Sequence, residues 1–380
     1  MMTNNTPSLH CIAICSVGEL FGGVERHIIG LLKGLKAHDI EILLFLFHDN
    51  ELAMQARNHG FSPIILSNKN HSLLSTARYM ADILKKRGVK IVHVHGYKAT
   101  VFSALARCWY RFSILKTEHG LAEPMAGRLV QAFYNQFYRS LDFIACRLFN
   151  ISICYVTEEL KKHYNYLHYG LTTLTIPNGI ENISNLQLKR PVELHKDWFN
   201  LAIVGRLDTV KGHYFALQAI AATAHTLPNV HLQIIGLGPC ENELKDLSER
   251  LGITHQIHFL GFQRNVYDYL LYCDALIMPS LHEGLPYTLL EAMSLGKPII
   301  ASQVGGLAEI LQDNITAILV PPGNSQTLSQ AISRLCNNIE LCNFLGKNAQ
   351  AFQKQHFTLE RMITSYLDIY THLAKSYAVF

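Results

Sequence analysis

At 380 residues the chain is long enough for two domains of ordinary size, and 49% hydrophobic against 16% charged residues exclude a disordered or fibrous polypeptide. A formal net charge of +4 is too slight over this length to mark a nucleic-acid-binding protein without a concentrated basic face. Nine cysteines, an odd number with no C-x-x-C, stand mostly among apolar neighbours, which fits reduced core thiols in a cytosolic protein rather than a disulfide framework.

The amino terminus has no basic leader region, and Cys11–Val17 is only a strand's length of apolar residues before Gly18, so a cleaved secretion signal is not expected. Later apolar runs such as Ile42–Phe47 are too short to span a bilayer. The expected location is the cytoplasm, with any membrane contact peripheral, at the inner face. From there, short aliphatic runs alternate with amphipathic stretches, the pattern of parallel strands joined by crossover helices. Strands are predicted at Cys11–Ser16, Glu41–Phe47, Pro63–Leu66, Ile91–His95, Ser113–Thr117 and Ser152–Val156. A second series follows at Asn200–Val204, His231–Ile235, Ile257–Leu260, Ala275–Pro279, Pro298–Ser302 and Ala317–Val320. Between the series lie the turn signal Pro177-Asn178-Gly179 and a polar stretch, Glu181–Asp197, with little periodicity. The expectation is an α/β protein of two doubly wound, Rossmann-like domains, 1–182 and 183–358, with ligand in a central cleft that the post-strand loops face.

Several loops carry chemistry. Gly22-Gly23 precede an amphipathic helix and can let backbone approach a ligand, or simply make a tight turn. Lys85–Lys90 and Lys98–Phe112, the latter with Arg107, Trp109, Tyr110 and Arg111, mix basic and aromatic residues as membrane-surface segments do, although basic residues also suit helix ends. His93-x-His95 is a weak metal pair in a chain with 20 histidines. Arg206 and Lys211 follow the strand Asn200–Val204: a guanidinium can grip phosphate oxygens at two points while an ammonium neutralises from another direction, and the alternative is two solvated cations. Gly236-Leu237-Gly238-Pro239 falls short of a dinucleotide fingerprint because Glu241 stands where the third glycine belongs. Glu283-Gly284-Leu285-Pro286 and then Glu291 follow a strand, placing one carboxylate in a loop and one inside a helix with Pro286 in its first turn. No Asp-x-Asp is present to hold a divalent metal on a diphosphate, so neither metal nor other cofactor is expected.

The Glu283 to Glu291 segment resembles the E-x7-E signature of glycosyltransferase family four, the glycosyl transferases group 1 enzymes. The resemblance extends over nearly the whole chain, through Gly22–His27, Thr117-Glu118-His119-Gly120, Ile176–Ile180, Gly205-Arg206-Leu207 with Lys211-Gly212, Leu260-Gly261, Pro279-Ser280 and Val304–Glu309. It implies the GT-B architecture and a retaining transfer from a UDP- or GDP-sugar to a saccharide or lipid-linked saccharide acceptor, in cell-surface polysaccharide or lipopolysaccharide synthesis. By that resemblance Glu283 contacts sugar hydroxyls, Glu291 the ribose, Arg206 and Lys211 the leaving diphosphate, and His119 the reacting centre. Gly22, Gly23, Gly205, Phe262, Gly284, Leu285 and Pro286 would line the donor. The helix near Leu359–Tyr377 would, as in similar proteins, rejoin the first domain. A nicotinamide oxidoreductase would need a Gly-x-Gly-x-x-Gly that Gly18–Gly23 does not supply. A GT-B sugar-nucleotide epimerase and a non-catalytic sugar-nucleotide-binding protein are the closer rivals.

Overall fold

The computed structural model describes residues 10–18, 22–66, 72–121, 129–183 and 186–378. The chain divides into two compact units, Met1–Gly179 with Leu359–Phe380, and Ile180–Thr358.

Unit 1 is built on strands β1 (Cys11–Ser16), β2 (Glu41–Leu46), β3 (Ile64–Ile65), β4 (Ile91–His95), β5 (Ser113–Glu118), β6 (Ser152–Tyr155) and β7 (Thr173–Thr175). They pair in parallel in the order β3-β2-β1-β4-β5-β6-β7. The connections carry helices α1 (Gly23–Lys36), α2 (Glu51–Asn58), α3 (Leu73–Lys86), α4 (Tyr97–Ala106), α5 (Leu129–Leu148) and α6 (Glu158–Tyr164). Helix α1 buries Ile28, Leu31, Leu32 and Leu35, the i, i+3, i+4, i+7 stripe of a helix laid on a sheet. Ser72 and Thr157 cap α3 and α6, each side-chain oxygen accepting an N–H three residues on.

Unit 2 has strands β8 (Phe199–Val204), β9 (Val230–Ile235), β10 (Ile257–Gly261), β11 (Ala275–Met278), β12 (Ile299–Ser302) and β13 (Ile318–Val320), paired in parallel as β10-β9-β8-β11-β12-β13. Its helices are α7 (His213–Thr223), α8 (Glu241–Arg250), α9 (Val266–Tyr272), α10 (Tyr287–Ser294), α11 (Gly305–Ile310), α12 (Ser325–Cys336) and α13 (Ile339–His356). Leu201, Ile203, Leu232 and Ile234 pack with Leu217, Ile220 and Ile332 in one core. The last helix, α14 (Leu359–Ala378), belongs to unit 1 and buries Met362, Tyr366, Tyr370 and Ala374 at every fourth position. It lies so close to α1 that a Cβ on Gly34 would stand 2.2 Å from Cγ1 of Ile363.

The units divide at Gly179/Ile180, so the polar stretch read as a connection lies within unit 2. Lys98–Phe112 is mostly core, with Ala99, Val101, Ala104, Ala106 and Phe112 buried, while Trp109 and Arg111 near its end are exposed. Lys85, Lys86 and Arg87 are exposed at the carboxyl end of α3, where its dipole favours them. All nine cysteines are free; Cys15, Cys146, Cys154, Cys273 and Cys342 are buried and Cys108 is exposed. Among the described residues no helix is long and apolar enough to cross a membrane.

Candidate functional site

In unit 2 the strand order reverses between β8 and β11, the place where open parallel sheets bind ligands. From β8 the chain runs through Gly205 and Arg206 into a 3-10 turn, Thr209–Lys211, capped by Asp208, whose Oδ1 accepts from the Lys211 N–H at 3.1 Å. Oδ2 of Asp208 holds Arg206 Nε at 2.6 Å. Lys211 then reaches the loop after β11, its Nζ donating to both oxygens of Glu283 at 2.7 and 2.9 Å, while Ser280 Oγ donates to Oε1 at 2.8 Å. Glu283 is 6% exposed, and a carboxylate so sheltered needs those donors. The Lys211 side chain keeps 25% exposure, so an incoming anion can reach it.

Backbone closeness fixes this loop. Gly305, at φ +46°, opens α11 where a Cβ would stand 2.1 Å from the carbonyl oxygen of Glu283, and Gly306 N–H donates to that oxygen at 3.0 Å. The methylenes of Lys211 lie over Gly205, 3.7 Å from where its Cβ would be. Beyond Gly284, Leu285 is buried, and Pro286 starts α10 with no side-chain cap. Glu291, inside α10, is 2% exposed, and Phe262, after β10, is exposed. A groove of about 710 Å³ adjoins Asp208 and Leu281, but Glu243, Asp246 and Glu249 line it. That charge repels a diphosphate, whereas Arg206 and Lys211 stand outside its lining. An anion with several oxygens would thus be drawn to the two cations and compete with Asp208 and Glu283 for them.

In unit 1 the order reverses between β1 and β4, and there imidazoles collect: His27 on α1, His93 and His95 on β4, and His119 after β5. His27 Nδ1 donates to Asn178 Oδ1 at 2.9 Å, which leaves its Nε2 a bare acceptor, buried with no hydrogen-bond partner. His95 Nδ1 and His119 Nε2 are 3.0 Å apart, and His95 Nε2 is likewise buried without a partner. Burial keeps the imidazoles neutral: His27 is pushed down to about 4 by burial, against the opposing hydrogen bond to Asn178, and His95 and His119 lie well below the ordinary histidine range, burial acting first and neighbouring histidines second. His93 faces elsewhere, bonded on one nitrogen to Tyr370 Oη and on the other to Thr117 Oγ1, both at 2.7 Å. The metal pair suggested by His93-x-His95 is therefore not formed. A cation here would instead fall to His27, His95 and His119, whose nearest ring nitrogens lie within 4.8 Å of one another, and would displace the hydrogen bond between His95 and His119. Gly22 and Gly23 are exposed at the start of α1, the Gly22 N–H donating to Glu25 Oε2 at 2.8 Å; residues 19–21 of that loop lie outside the described residues.

The structure thus gathers Gly205, Arg206, Lys211, Glu283 and the loop into α10 in unit 2, and His119 with the amino end of α1 in unit 1. Sequence reasoning gave no role to Asp208, Ser280 or His27. Asp208 was findable as a cap three residues before Lys211. His27 was findable as a polar residue beside Ile28 on the buried stripe of α1.

Two family profiles tile the chain: Glycosyltransferase Family 4 over residues 21–182 and Glycosyl transferases group 1 over residues 187–352. O-antigen chain mannosyltransferase C of Escherichia coli is 31% identical over 258 residues, 66% of each chain. The UDP-Gal:alpha-D-GlcNAc-diphosphoundecaprenol alpha-1,3-galactosyltransferase of Escherichia coli is 25% identical, over 80% of this chain and 81% of that protein. The crystal structure of Anabaena HepE with UDP and glucose matches with a TM-score of 0.82 at 21% identity, covering 96% of this chain and 100% of that one, a likeness of fold.

Proposed function

The chain belongs to the glycosyl transferases group 1 family and is a glycosyltransferase of GT-B fold, and from that footing we propose that it moves a hexosyl unit from a UDP- or GDP-sugar, with retention, to a saccharide or lipid-linked saccharide acceptor in cell-surface polysaccharide or lipopolysaccharide synthesis. The observation that carries this reading is the ion pair at the reversal of the unit 2 sheet: Lys211 on both oxygens of Glu283. When the donor's diphosphate draws Lys211 to itself, Glu283 is left with acceptor oxygens for sugar hydroxyls. Arg206 takes a second phosphate oxygen, and Glu291 holds the ribose. As the bond between the anomeric carbon and the diphosphate oxygen breaks, charge grows on that oxygen, and cations already in place stabilise it without reorganising. The neutral His119 orients hydroxyls by hydrogen bonding and adds no charge. Lipid-linked acceptors are favoured by the relative that acts on a diphosphoundecaprenol saccharide.

Calorimetry of the purified protein against UDP- and GDP-sugars tests the donor, and one clear hit is expected. Glu291→Gln should weaken binding of free nucleotide diphosphate as well as of the intact donor, whereas Glu283→Gln should spare free nucleotide and blur discrimination between sugars. Equal losses of free-nucleotide affinity would remove the division of labour. The anomeric configuration of the product, read by NMR against that of the donor, tests retention.

A further inference from the structure

Seven of the twenty exposed large apolar side chains among the described residues stand on α5 and on the loop between α6 and β7. On α5, Phe137, Ile144 and Leu148 are 52%, 48% and 75% exposed. With the half-buried Leu141 they occupy i, i+4, i+7 and i+11, one stripe roughly 17 Å long at helical pitch. Phe143 lies beside the stripe, under the guanidinium of Arg147 at 5.6 Å. Arg147 Nη2 also donates to the Leu167 carbonyl at 3.3 Å, so the helix and the loop form one surface. That loop presents Tyr166 and Tyr169, 86% and 74% exposed, although His168 between them is buried and hydrogen-bonded to the Tyr155 hydroxyl. Its aromatic residues therefore project from a pinned segment.

Charge identifies the partner. Arg147 flanks the stripe on α5, and on α6 before the loop stand Lys162, exposed, and Lys161, which lies 3.6 Å from Glu158. Between Gln136 and Leu148 the one acidic residue, Asp142, is buried and bonded to Lys116. An apolar stripe with tyrosines and flanking cations matches the boundary between acyl chains and anionic headgroups. A second copy of the chain fits less well, since a two-fold contact would press this face against an identical one and bring cationic side chains of like sign together. We propose that α5 and the 166–169 loop form the surface by which this protein docks on a bilayer bearing anionic lipid. The proposal deepens the reading of a lipid-linked acceptor and rests on that reading for its purpose, while its geometry stands alone.

The test is co-sedimentation of the full chain with vesicles of phosphatidylcholine alone and of phosphatidylcholine mixed with phosphatidylglycerol. Binding is expected to the mixed vesicles, weakening as salt rises, and to fall at least about tenfold in Phe137→Ser/Ile144→Ser/Leu148→Ser and several-fold in Arg147→Glu. Tyr166→Ser/Tyr169→Ser, at two exposed positions of the loop, gives a second variant should the first fail to fold by circular dichroism. Wild-type protein that ignores anionic vesicles overturns the proposal, as do folded variants that bind like wild type. A dimer in sedimentation equilibrium that these substitutions dissolve, without any vesicle binding, assigns the face to self-association and overturns it too. Docking that survives while transfer proceeds only to soluble saccharides leaves the surface standing and removes the lipid-linked acceptor.

Discussion

Before any ligand arrives, Lys211 is half of an ion pair, so its removal uncovers two deficits at once: a diphosphate without its ammonium and a sheltered Glu283 without its partner. Lys211→Ala should lower kcat by about 10²- to 10³-fold, the range for losing one donor aimed at developing charge, with a smaller change in KM. Arg206→Lys should restore only part of what Arg206→Ala loses, because an ammonium keeps the charge without the planar two-point grip. Folded variants with wild-type turnover would reduce both residues to surface charge. The histidines of unit 1 make a prediction of opposite character, about stability. His27 binds its proton near 4 in the folded chain, below the ordinary value of about 6.5 for an unfolded one. Between those values the unfolded chain takes up a proton that the folded chain refuses, so stability is complete above about pH 6.5 and is lost as pH falls toward 4. For this 0% exposed residue the loss is at most on the order of 3 kcal/mol. Denaturant unfolding across that window should show a shallower slope for His27→Gln than for wild type, and identical slopes would reject the assignment. Transfer should persist after exhaustive EDTA treatment, since the diphosphate is expected to meet Arg206 and Lys211 rather than an ion. Loss of activity restored only by a divalent cation would instead point to His27, His95 and His119.

Among the elements, β5 carries the most exposed consequence of burial. Burial alone would drive the Lys116 ammonium down, but the carboxylates of Glu118 and Asp142 outweigh it and hold the lysine well above its ordinary value. Lys116→Met leaves two sheltered carboxylates facing each other and should cost about 3–5 kcal/mol in a denaturant titration. Adding Asp142→Asn should recover part of that loss, and a harmless Lys116→Met would show that the cluster relaxes to solvent. The strands themselves were legible because β-branched and aliphatic runs of four to six residues, such as Cys11–Ser16 and Phe199–Val204, leave a buried parallel sheet few alternatives. β7 was not, since Thr173-Leu174-Thr175 offers one aliphatic residue over three positions at a sheet edge. The site was legible as residue types on post-strand loops, but not as partners: Lys211 and Glu283 are 72 positions apart, and His93 and Tyr370 are 277. Such pairings are set by strand order, which local pattern does not encode. Nor does the sequence show that the Glu283 backbone needs a glycine at position 305, where only a missing Cβ admits the carbonyl.

At the scale of the whole chain the two units differ in continuity. Unit 2 is one uninterrupted segment, Ile180–Thr358, whereas unit 1 needs α14 to cover Gly30 and Gly34 and to bring Tyr366 and Tyr370 to Thr117 and His93. The segment 180–358 alone should therefore fold and bind nucleotide diphosphate, while a chain stopped before Leu359 should lose the thermal transition of unit 1 and keep that of unit 2. A single transition lost as a whole would show that the units are not separable. The discontinuity also orders events on the ribosome. The first half of the chain emerges with its central strands made and its last helix not yet written, and waits while Ile180–Thr358 is synthesised, on the order of ten to forty seconds at about 5–20 residues per second. During that interval the face of α1 that α14 will cover is open to chaperones and proteases. A message cut before Leu359 yields a product whose earliest-made unit never closes, so the twenty residues of α14 act as a proofreading mark that the segment Ile180–Thr358 before them has been translated.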